Sequence, residues 1–387
     1  MNRSMLLRLV PMLIVFGALN FYVGWHGDLL LSSLWPAFPR AVYWILFAVI
    51  AFSYLLGRML IGDGSGIAAA PGRLLKVVGS YYFAVFELGF LLVVLADIAA
   101  LVAYLCGADM SAFVPAAGGI VVLALLVLLA WGSRNAWSPV ARTYDIEVAK
   151  KAGDLKTLKI AVVSDIHLGN TVGNRHLDRL LPQVNEWRPD LILLAGDVID
   201  DSIEPFVRRS MADRLARLEA EYGTFAVLGN HEYYGGHIEE YVERMREIGI
   251  PVLRDETVTV AGGVQIAGRK DKTAEAADPE GRLPVRELTA SFDRTRPIVV
   301  LDHQPYGYDL AAEAGADILI SGHTHRGQFA PNHWITRRLF ELDWGYLRKG
   351  SMHAFVSSGF GTWGPPIRLA SRSETMRITV HFKEETA

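Results

Sequence analysis

Two histidines separated by one residue, His323 and His325, directly follow an apolar segment, residues 316–320, that has the composition of a buried strand. Alternate residues of a strand point to the same face, so this spacing predicts two imidazoles that face one point at the end of a sheet. Gly322 has no side chain and leaves room for another group to approach. Imidazole is a common metal ligand. The alternative is a pair of solvated loop histidines, and further ligands elsewhere in the chain would decide between the two.

Four earlier apolar segments, residues 159–163, 190–196, 224–229 and 297–301, also end in residues that bind metals. Together the five segments supply eight candidates: Asp165, His167, Asp197, Asn230, His231, His303, His323 and His325. Polar side chains that close buried strands need partners, so five such clusters in one register indicate a site and not core packing. Oxygen and imidazole ligands suit Mn, Fe or Zn. The set exceeds what one ion coordinates, which predicts two divalent ions that share a carboxylate.

Strands that alternate with helices along the second half of the chain predict an α/β domain whose site lies at the carboxyl ends of its strands. Helical patterns cover residues 174–187, 204–222 and 237–248, and an alternating pattern at 144–148 predicts a first edge strand. Gly262 and Gly263 separate two short strands within residues 252–269, which is typical of a hairpin. Residues 354–358 and 376–382 are predicted closing strands.

The first third of the chain is far more apolar than the rest and predicts a transmembrane region, residues 1–136. Its four uncharged or nearly uncharged runs are each close to the ~20 residues that cross a bilayer as a helix; they cover about 9–25, 41–57, 77–106 and 112–132. Glu87 and Asp97 interrupt the third run. Charged residues inside a span are by default candidate functional residues. Because the spans contain no basic residue, the favoured alternative places Glu87 near the interface and Asp97 in hydrogen bonds within the bundle, with no ion path. Residues 137–157 form a linker with the first edge strand, and residues 158–387 form the catalytic domain.

Charge and cysteine content limit the location and the partners of the protein. The formal net charge is -3, which argues against a nucleic-acid partner. The sole cysteine, Cys106, excludes a disulfide and a thiolate metal site and suits a reducing compartment. Basic residues concentrate at the amino terminus, in the second loop and after the fourth run, which predicts a multi-pass inner-membrane protein with both termini and the catalytic domain in the cytoplasm: Arg3, Arg8, Arg58, Arg73, Lys76, Arg134 and Arg142.

The order of the motifs Asp-x-His, Gly-Asp, Gly-Asn-His-Glu, His and Gly-His-Thr-His resembles that of the calcineurin-like metallophosphoesterase superfamily, from Leu158 to the carboxyl terminus. In its detailed motifs the chain is similar to a bacterial subgroup whose members often carry amino-terminal membrane segments. The resemblance implies a β-sandwich of two sheets flanked by helices, in place of the doubly wound sheet that alternation alone predicts. It also implies hydrolysis of phosphodiester or pyrophosphate bonds, which in some relatives belong to lipid-linked substrates such as UDP-diacylglucosamine.

The same resemblance implies a role for each motif residue. One ion would be held by Asp165, His167, Asp197 and His325, and the second by Asp197, Asn230, His303 and His323. Two ions ~3.5–4 Å apart lower the pKa of a bridging water, so that the resulting hydroxide attacks the phosphorus in line with the leaving oxygen. His231 would protonate the leaving group or stabilise the charge that develops on it.

Several residues outside the ligand set have two interpretations each. Arg326 and Arg368 are candidate substrate-binding residues, because a guanidinium offers several donors to a phosphate. The alternative for Arg326 is a solvated side chain, and the alternative for Arg368 is an ion pair. Asp302 is predicted to be structural, and Glu232 either supports a ligand histidine or is structural. Residues 332–349 mix aromatic, leucine and basic residues, and either rest on a bilayer surface or pack on their own domain.

These observations predict a membrane-anchored, dinuclear-metal phosphohydrolase. Its expected partners are the lipid bilayer and a phosphate-containing, lipid-linked substrate, since anchoring places the enzyme where such a substrate is. Two alternatives stay open: a hydrolase of soluble or cyclic nucleotides, and a catalytically silent membrane scaffold that kept the fold.

Overall fold

The computed structural model describes residues 3–61 and 68–383. The ends of the chain, including the last four residues of the predicted catalytic domain, and residues 62–67 of the predicted second loop lie outside the described residues. Contacts divide the chain into two compact units, Met1–Gly132 and Ser133–Ala387.

The apolar part of the chain forms long helices with bounds that differ from the predicted spans. They are α1 (Arg3–Leu34), α2 (Arg40–Ala51), α3 (Ser53–Ile61), α4 (Ala69–Leu105) and α5 (Met110–Trp137). Among the described residues, α1, α4 and α5 are each long and apolar enough to cross a membrane, and α2 with α3 makes a fourth span if the bent pair counts as one. Where the sequence predicts four spans, the described residues thus contain three such helices, or four with the bent pair.

The second predicted span, residues 41–57, is not one straight helix, because α2 and α3 meet at an angle of 56°. The Ser53 hydroxyl donates to the Ile50 carbonyl at 2.6 Å. A hydroxyl that bonds a carbonyl of the preceding turn competes with the regular helix ladder and often accompanies a bend.

Asp97 has its partners inside the first unit. Its carboxylate accepts hydrogen bonds from the Tyr22 hydroxyl at 2.6 Å and from Nε2 of His26 at 2.8 Å. An ionisable side chain within an apolar helix needs such partners. The expectation of hydrogen bonds within the bundle agrees with this geometry.

The second unit contains two six-stranded sheets. The first has the order β1-β12-β2-β3-β4-β5 and the second β10-β11-β9-β8-β7-β6. The strands are β1 (Val140–Val148), β2 (Thr157–Val163), β3 (Leu191–Ala195), β4 (Thr224–Val227), β5 (Val252–Leu253), β6 (Glu256–Thr259), β7 (Gln265–Gly268), β8 (Ile298–Leu301), β9 (Ile318–Ser321), β10 (Gly345–Lys349), β11 (Met352–Val356) and β12 (Glu374–Phe382). The predicted edge strand is β1, and β6 and β7 form the predicted hairpin.

The two sheets pack face to face because their strands are apolar on both sides. In β3, Leu191 and Leu193 enter the core between the sheets, whereas Ile192 and Leu194 face the helices that cover the first sheet. A third apolar cluster lies on the outer face of the second sheet. Strands buried on both faces need cover on both. The β-sandwich flanked by helices is confirmed, and the doubly wound sheet suggested by alternation alone is wrong.

The helices of this unit are shorter than the sequence patterns suggest. They are α6 (Asn174–Asn185), α7 (Glu204–Arg208), α8 (Met211–Leu215), α9 (Asn230–Gly235), α10 (Ile238–Glu247), α11 (Ala274–Ala277), α12 (Val285–Leu288), α13 (Tyr308–Glu313) and α14 (His333–Leu339). The predicted helix 204–222 is wrong, since Ser210 adopts a left-handed conformation with φ 46° and separates α7 from α8. Left-handed backbone cannot continue a right-handed helix.

We expect Phe355→Ala to destabilise the second unit strongly. Phe355 is fully buried between the sheets, with its ring centroid 5.1 Å from that of Tyr144. Truncating a buried phenylalanine costs about 3–5 kcal/mol, which lowers the melting temperature by roughly 6–20 °C in a unit of this size. Near-ultraviolet circular dichroism of the detergent-solubilised chain measures this shift. The half-exposed Leu283→Ala is the control, and equal melting temperatures for both variants would contradict the packing.

Candidate metal centre

The first cluster of donor atoms comes from the ends of β2 and β9. Ligand atoms of Asp165, His167 and His325 all lie within 4.8 Å of one another, and all three residues are buried. Nε2 of His167 is 2.9 Å from Nε2 of His325, which in turn is 3.4 Å from Oδ1 of Asp165. Two ring nitrogens and a carboxylate oxygen therefore converge on one point.

The second cluster comes from the ends of β3, β4, β8 and β9. Asp197, His303 and His323 form a group of the same size, with Nε2 of His303 at 3.1 Å from Oδ2 of Asp197. Oδ1 of Asn230 lies 2.8 Å from Nδ1 of His323 and 3.3 Å from Nε2 of His303. Oδ2 of Asp197 is also 3.7 Å from Nε2 of His167. The Asp197 carboxylate thus lies between the two clusters, and the structure brings together all seven predicted ligands.

Three of the histidines are held in the neutral form, which is the form that binds metals. Burial, with His231 nearby, lowers the pKa of His167 to about 4. Burial and the neighbouring His303 lower the pKa of His323 to about 4. Burial, with His167 and Arg368 nearby, holds the pKa of His325 well below its ordinary value.

The two carboxylates and His303 behave differently, because negative charge is concentrated among them. Burial raises the pKa of Asp165 to about 6. Burial opposes ionisation of Asp197 as well, but His303, His167 and His231 hold the pKa of Asp197 below its ordinary value. Burial is also outweighed at His303, whose pKa is raised well above the ordinary value by Asp197 and Asp165. The buried carboxylates therefore demand positive charge in this space.

These residues fit divalent ions. Opposed imidazole nitrogens, two buried carboxylates and an amide oxygen form a donor set of nitrogen and oxygen atoms, which suits Mn, Fe or Zn. Nδ1 of His303 donates to the Ala195 carbonyl at 2.8 Å, which orients its Nε2 toward Asp197. A divalent cation would supply positive charge beside the buried carboxylates of Asp165 and Asp197.

The backbone at the donor residues is not extended, and on this point the strand-based prediction is wrong. Five of them have positive φ, between 48° and 71°: Asp165, His167, Asp197, His323 and His325. Left-handed conformations are uncommon for residues other than glycine and concentrate at functional sites. The one-residue spacing therefore does not by itself decide whether a pair shares one point: Asp165 and His167 do, whereas His323 and His325 do not. His323 joins the Asp197 cluster and His325 the Asp165 cluster.

Two glycines allow the carboxylates to approach the backbone. A side chain at Gly322 would collide with the carboxylate of Asp165, and one at Gly229 would collide with that of Asp197. The space that the sequence predicts at Gly322 is thus filled by a donor residue from another strand. Oδ1 of Asp165 also accepts from the His323 amide at 2.9 Å.

His231 lies beside His167 of the first cluster, with ring centroids 4.6 Å apart, and has acidic partners that the sequence analysis missed. Its Nδ1 donates to Oδ1 of Asp201 at 2.7 Å and lies 3.5 Å from Asp200. Burial opposes protonation, but Asp200 and Asp201 raise the pKa of His231 to about 11. The two aspartates follow Asp197 closely in the chain, and this concentration of carboxylates after β3 is the sequence signal that could have identified them.

A cavity of about 470 Å³ opens onto these side chains. Its wall includes Asp197, His231, His323 and His325, together with the aromatic residues Tyr234 and Trp363. A cleft of this size accommodates a small ligand. The arrangement presents two metal-type donor clusters and a protonated imidazole to one space.

Comparisons with known proteins identify the family. The sequence profile of the calcineurin-like phosphoesterases matches residues 158–327. An uncharacterized metallophosphoesterase of Aquifex aeolicus is 32% identical over 243 residues, which make up 62% of this chain and 91% of that protein. The chain belongs to the calcineurin-like phosphoesterases. This is a family of metal-dependent phosphoesterases, as the donor set suggests.

This phosphoesterase also resembles larger membrane proteins. The "Transmembrane protein with metallophosphoesterase domain" of Danio rerio is 33% identical over 277 residues, 67% of this chain. The match spans only 62% of that protein's length, and the similarity is not confined to bacteria. Among solved structures, TT1561 of Thermus thermophilus superposes with a TM-score of 0.38 at 15% identity, over 53% of this chain and 92% of that one. A score this low carries no information about function.

The structure does not bring Arg326 or Arg368 into the cavity wall. The Arg326 guanidinium lies 4.0 Å above the ring of Trp344. Arg368 is fully buried, donates to the Gly361 carbonyl at 2.6 Å and to the Ser371 hydroxyl at 2.8 Å, and lies 3.1 Å from Nδ1 of His325. Substrate contact by either arginine stays a prediction. In the described structure Arg368 supports the loop that carries His325.

Glu232 supports two loops of the phosphoesterase site. Its carboxylate accepts from the amides of Gly229 at 2.7 Å, Ile199 at 3.0 Å and Asp197 at 3.2 Å. These hydrogen bonds connect the loop after β3 to the loop after β4. Of the two sequence interpretations, the geometry supports the structural one, because the contacts are to backbone amides. Asp302 likewise pairs with Arg269 and Arg282.

We expect Arg368→Lys to weaken the first cluster. An ammonium group cannot reproduce the forked bonds of the guanidinium, and each buried carbonyl left without a donor costs about 1–3 kcal/mol. The variant should lose metal during dialysis and melt at a lower temperature than the wild-type chain. The exposed Arg348→Lys is the matched control. Wild-type metal content and melting temperature in Arg368→Lys would contradict the supporting role.

Proposed function

We propose that this protein is a membrane-anchored phosphohydrolase that uses two divalent ions to cleave a phosphodiester or pyrophosphate bond. The observation that carries the proposal is the position of Asp197, whose Oδ2 lies 3.1 Å from His303 and 3.7 Å from His167, between two buried donor clusters. In this proposal Asp165, His167, Asp197 and His325 hold one ion, and Asp197, Asn230, His303 and His323 hold the other.

The protein's own residues position the ions and the phosphate. When bound, two divalent ions lower the pKa of a water molecule and neutralise charge on the phosphate oxygens. The left-handed backbone at the donor residues and the amide bonds of Glu232 fix the spacing of the clusters. Preorganised donors of this kind need no rearrangement during the reaction.

His231 is the proposed general acid. Its bond to Asp201 occupies Nδ1 and leaves Nε2 to donate to a leaving oxygen in the cavity. Because Asp200 and Asp201 raise its pKa to about 11, the ring carries a proton at neutral pH. In an in-line displacement that proton passes to the leaving oxygen as the bond to phosphorus breaks.

The proposed substrate is lipid-linked, and the proposed location is the cytoplasmic side of the inner membrane. The helices that can cross a bilayer would keep the enzyme where such a substrate is. Basic residues flanking the predicted spans support the orientation. The Danio rerio relative is named a transmembrane protein, and this name supports membrane association alone.

Asp197→Ala should abolish both metal binding and hydrolysis. Removing the carboxylate between the clusters deletes one donor from each. Metal analysis after dialysis and turnover of a chromogenic phosphodiester by the purified full-length protein measure the two effects. Asp309→Ala, an exposed aspartate, is the control. A folded Asp197→Ala protein with full metal content and full activity would contradict the assignment.

Asp201→Asn should move the alkaline limb of the pH–rate profile to lower pH. The aspartate stabilises the protonated ring, so its removal lowers the pKa of His231 and the acid is lost at lower pH.

His231→Ala should keep its metal and lose about 10²–10⁴-fold in turnover of a substrate with a poor leaving group. An unchanged profile in Asp201→Asn, or unchanged turnover in His231→Ala, would remove the proposed acid.

Substrate class is tested by comparing a lipid pyrophosphate with a cyclic nucleotide, both offered to the full-length protein in bilayers. The proposal predicts at least tenfold preference for the lipid. Preference for the nucleotide would favour a hydrolase of soluble substrates. If the protein hydrolyses neither substrate and no other phosphodiester, the catalytically silent scaffold would be favoured.

A further inference from the structure

Helix α14 is exposed on its apolar side. The exposed fractions of Trp334, Ile335 and Leu339 are 67, 58 and 67%. At about 100° per residue, the three side chains fall within an arc of roughly 140° on one side of the helix. Soluble surfaces rarely expose several large apolar side chains in one place without a binding function.

The opposite side of α14 holds the helix to its own unit. The Thr336 hydroxyl donates to Oδ2 of Asp343 at 2.7 Å. The ring of Phe340, just after the helix, lies 5.1 Å from that of Tyr306 and 6.1 Å from that of His323. The inward side therefore anchors the helix through a hydrogen bond and ring contacts, and the outward side carries the three exposed apolar residues. An ordinary surface helix turns its large apolar residues toward the core.

The helix lies close in the chain and in space to the cavity. It follows the loop of His325, and a side chain at Gly327 would collide with the backbone of Asn332 and His333. Gln328 also holds Trp363, through bonds of 2.8 and 3.1 Å to the Trp363 carbonyl and amide. Trp363 lines the cavity and is 57% exposed. The loop 325–328 thus connects the apolar surface to the site.

We propose that this surface, defined by Trp334, Ile335 and Leu339, binds the interface of a lipid bilayer that contains anionic headgroups. Two observations select the bilayer as the occupant. Arg337 and Arg338 are exposed on the same short helix, and basic residues interspersed with Trp and aliphatic residues are typical of helices that lie in a membrane interface. The chain also contains helices long and apolar enough to cross a bilayer.

Binding of this surface to a bilayer does not depend on which bond the enzyme cleaves. Its consequence for access to a lipid-linked substrate rests on the proposed function. A helix seated in the headgroup layer beside the His325 loop would place the cavity at the depth of a lipid phosphate. Tryptophan prefers this layer because its ring is apolar and its N–H is polar.

Spin labelling of the full-length protein tests the proposal without any measurement of activity. Cys106 is the sole cysteine, so Cys106→Ser allows one label at Ile335→Cys. The matched control is a label at Glu247→Cys, which is exposed on α10. Both proteins are reconstituted into bilayers of phosphatidylglycerol and phosphatidylcholine, and collisions with oxygen and with a nickel chelate are measured.

At position 335 we expect an oxygen-to-nickel collision ratio at least fivefold higher than at position 247, because oxygen enters the bilayer and the chelate does not. Arg337→Gln with Arg338→Gln should lower that ratio in the mixed bilayer toward its value in phosphatidylcholine alone.

A label at position 335 that is as accessible to nickel as the control label would overturn the proposal. Shielding from both agents would reveal a protein contact and would also overturn it. An arginine variant with an unchanged ratio would overturn the role of anionic headgroups. If the labelled protein gives the expected collision ratio but a separate assay of the wild-type protein finds no phosphodiesterase activity, only the proposed function would be contradicted.

Discussion

The burial of the Asp197 carboxylate among imidazoles is the constraint on which the rest of the site depends. Its Oδ2 lies 3.1 Å from His303, and its Oδ1 accepts from the His231 amide at 2.9 Å. A buried carboxylate is costly unless positive charge and donors surround it. Gly229 leaves the space it needs, and Glu232 fixes its backbone through the Asp197 amide. The same concentration of negative charge that raises the pKa of His303 makes the pocket suitable for divalent ions.

The sandwich supplies this environment by bringing strand ends of two different sheets to one place. Asp165, Asp197 and Asn230 follow strands of the first sheet, and His303 and His323 follow strands of the second. Packing between the sheets therefore sets the distance between the donor clusters. A site assembled in this way is sensitive to substitutions in the core between the sheets as well as to substitutions of the donors themselves.

Much of the site was predictable because the types of the residues and the order of the motifs indicate its chemistry. All seven donors, His231 and the sandwich follow from the motifs and their resemblance, and the structure brings the donors together. The backbone conformation was not predictable, since left-handed φ is uncommon even at Asp and His, and a strand pattern predicts extended backbone at Asp165 and His323. Likewise, the burial of Arg368 depends on carbonyls of the loop 359–361. The bend between α2 and α3 and the break at Ser210 follow from local geometry that helical periodicity does not detect.

Anomalous diffraction from crystals of the manganese-loaded protein tests the central claim most directly. Our account predicts two anomalous peaks roughly 3.5–4 Å apart on either side of the Asp197 carboxylate. One peak should lie beside His167 and His325, and the other beside His303 and His323. A single peak, or peaks that do not share Asp197, would contradict the account.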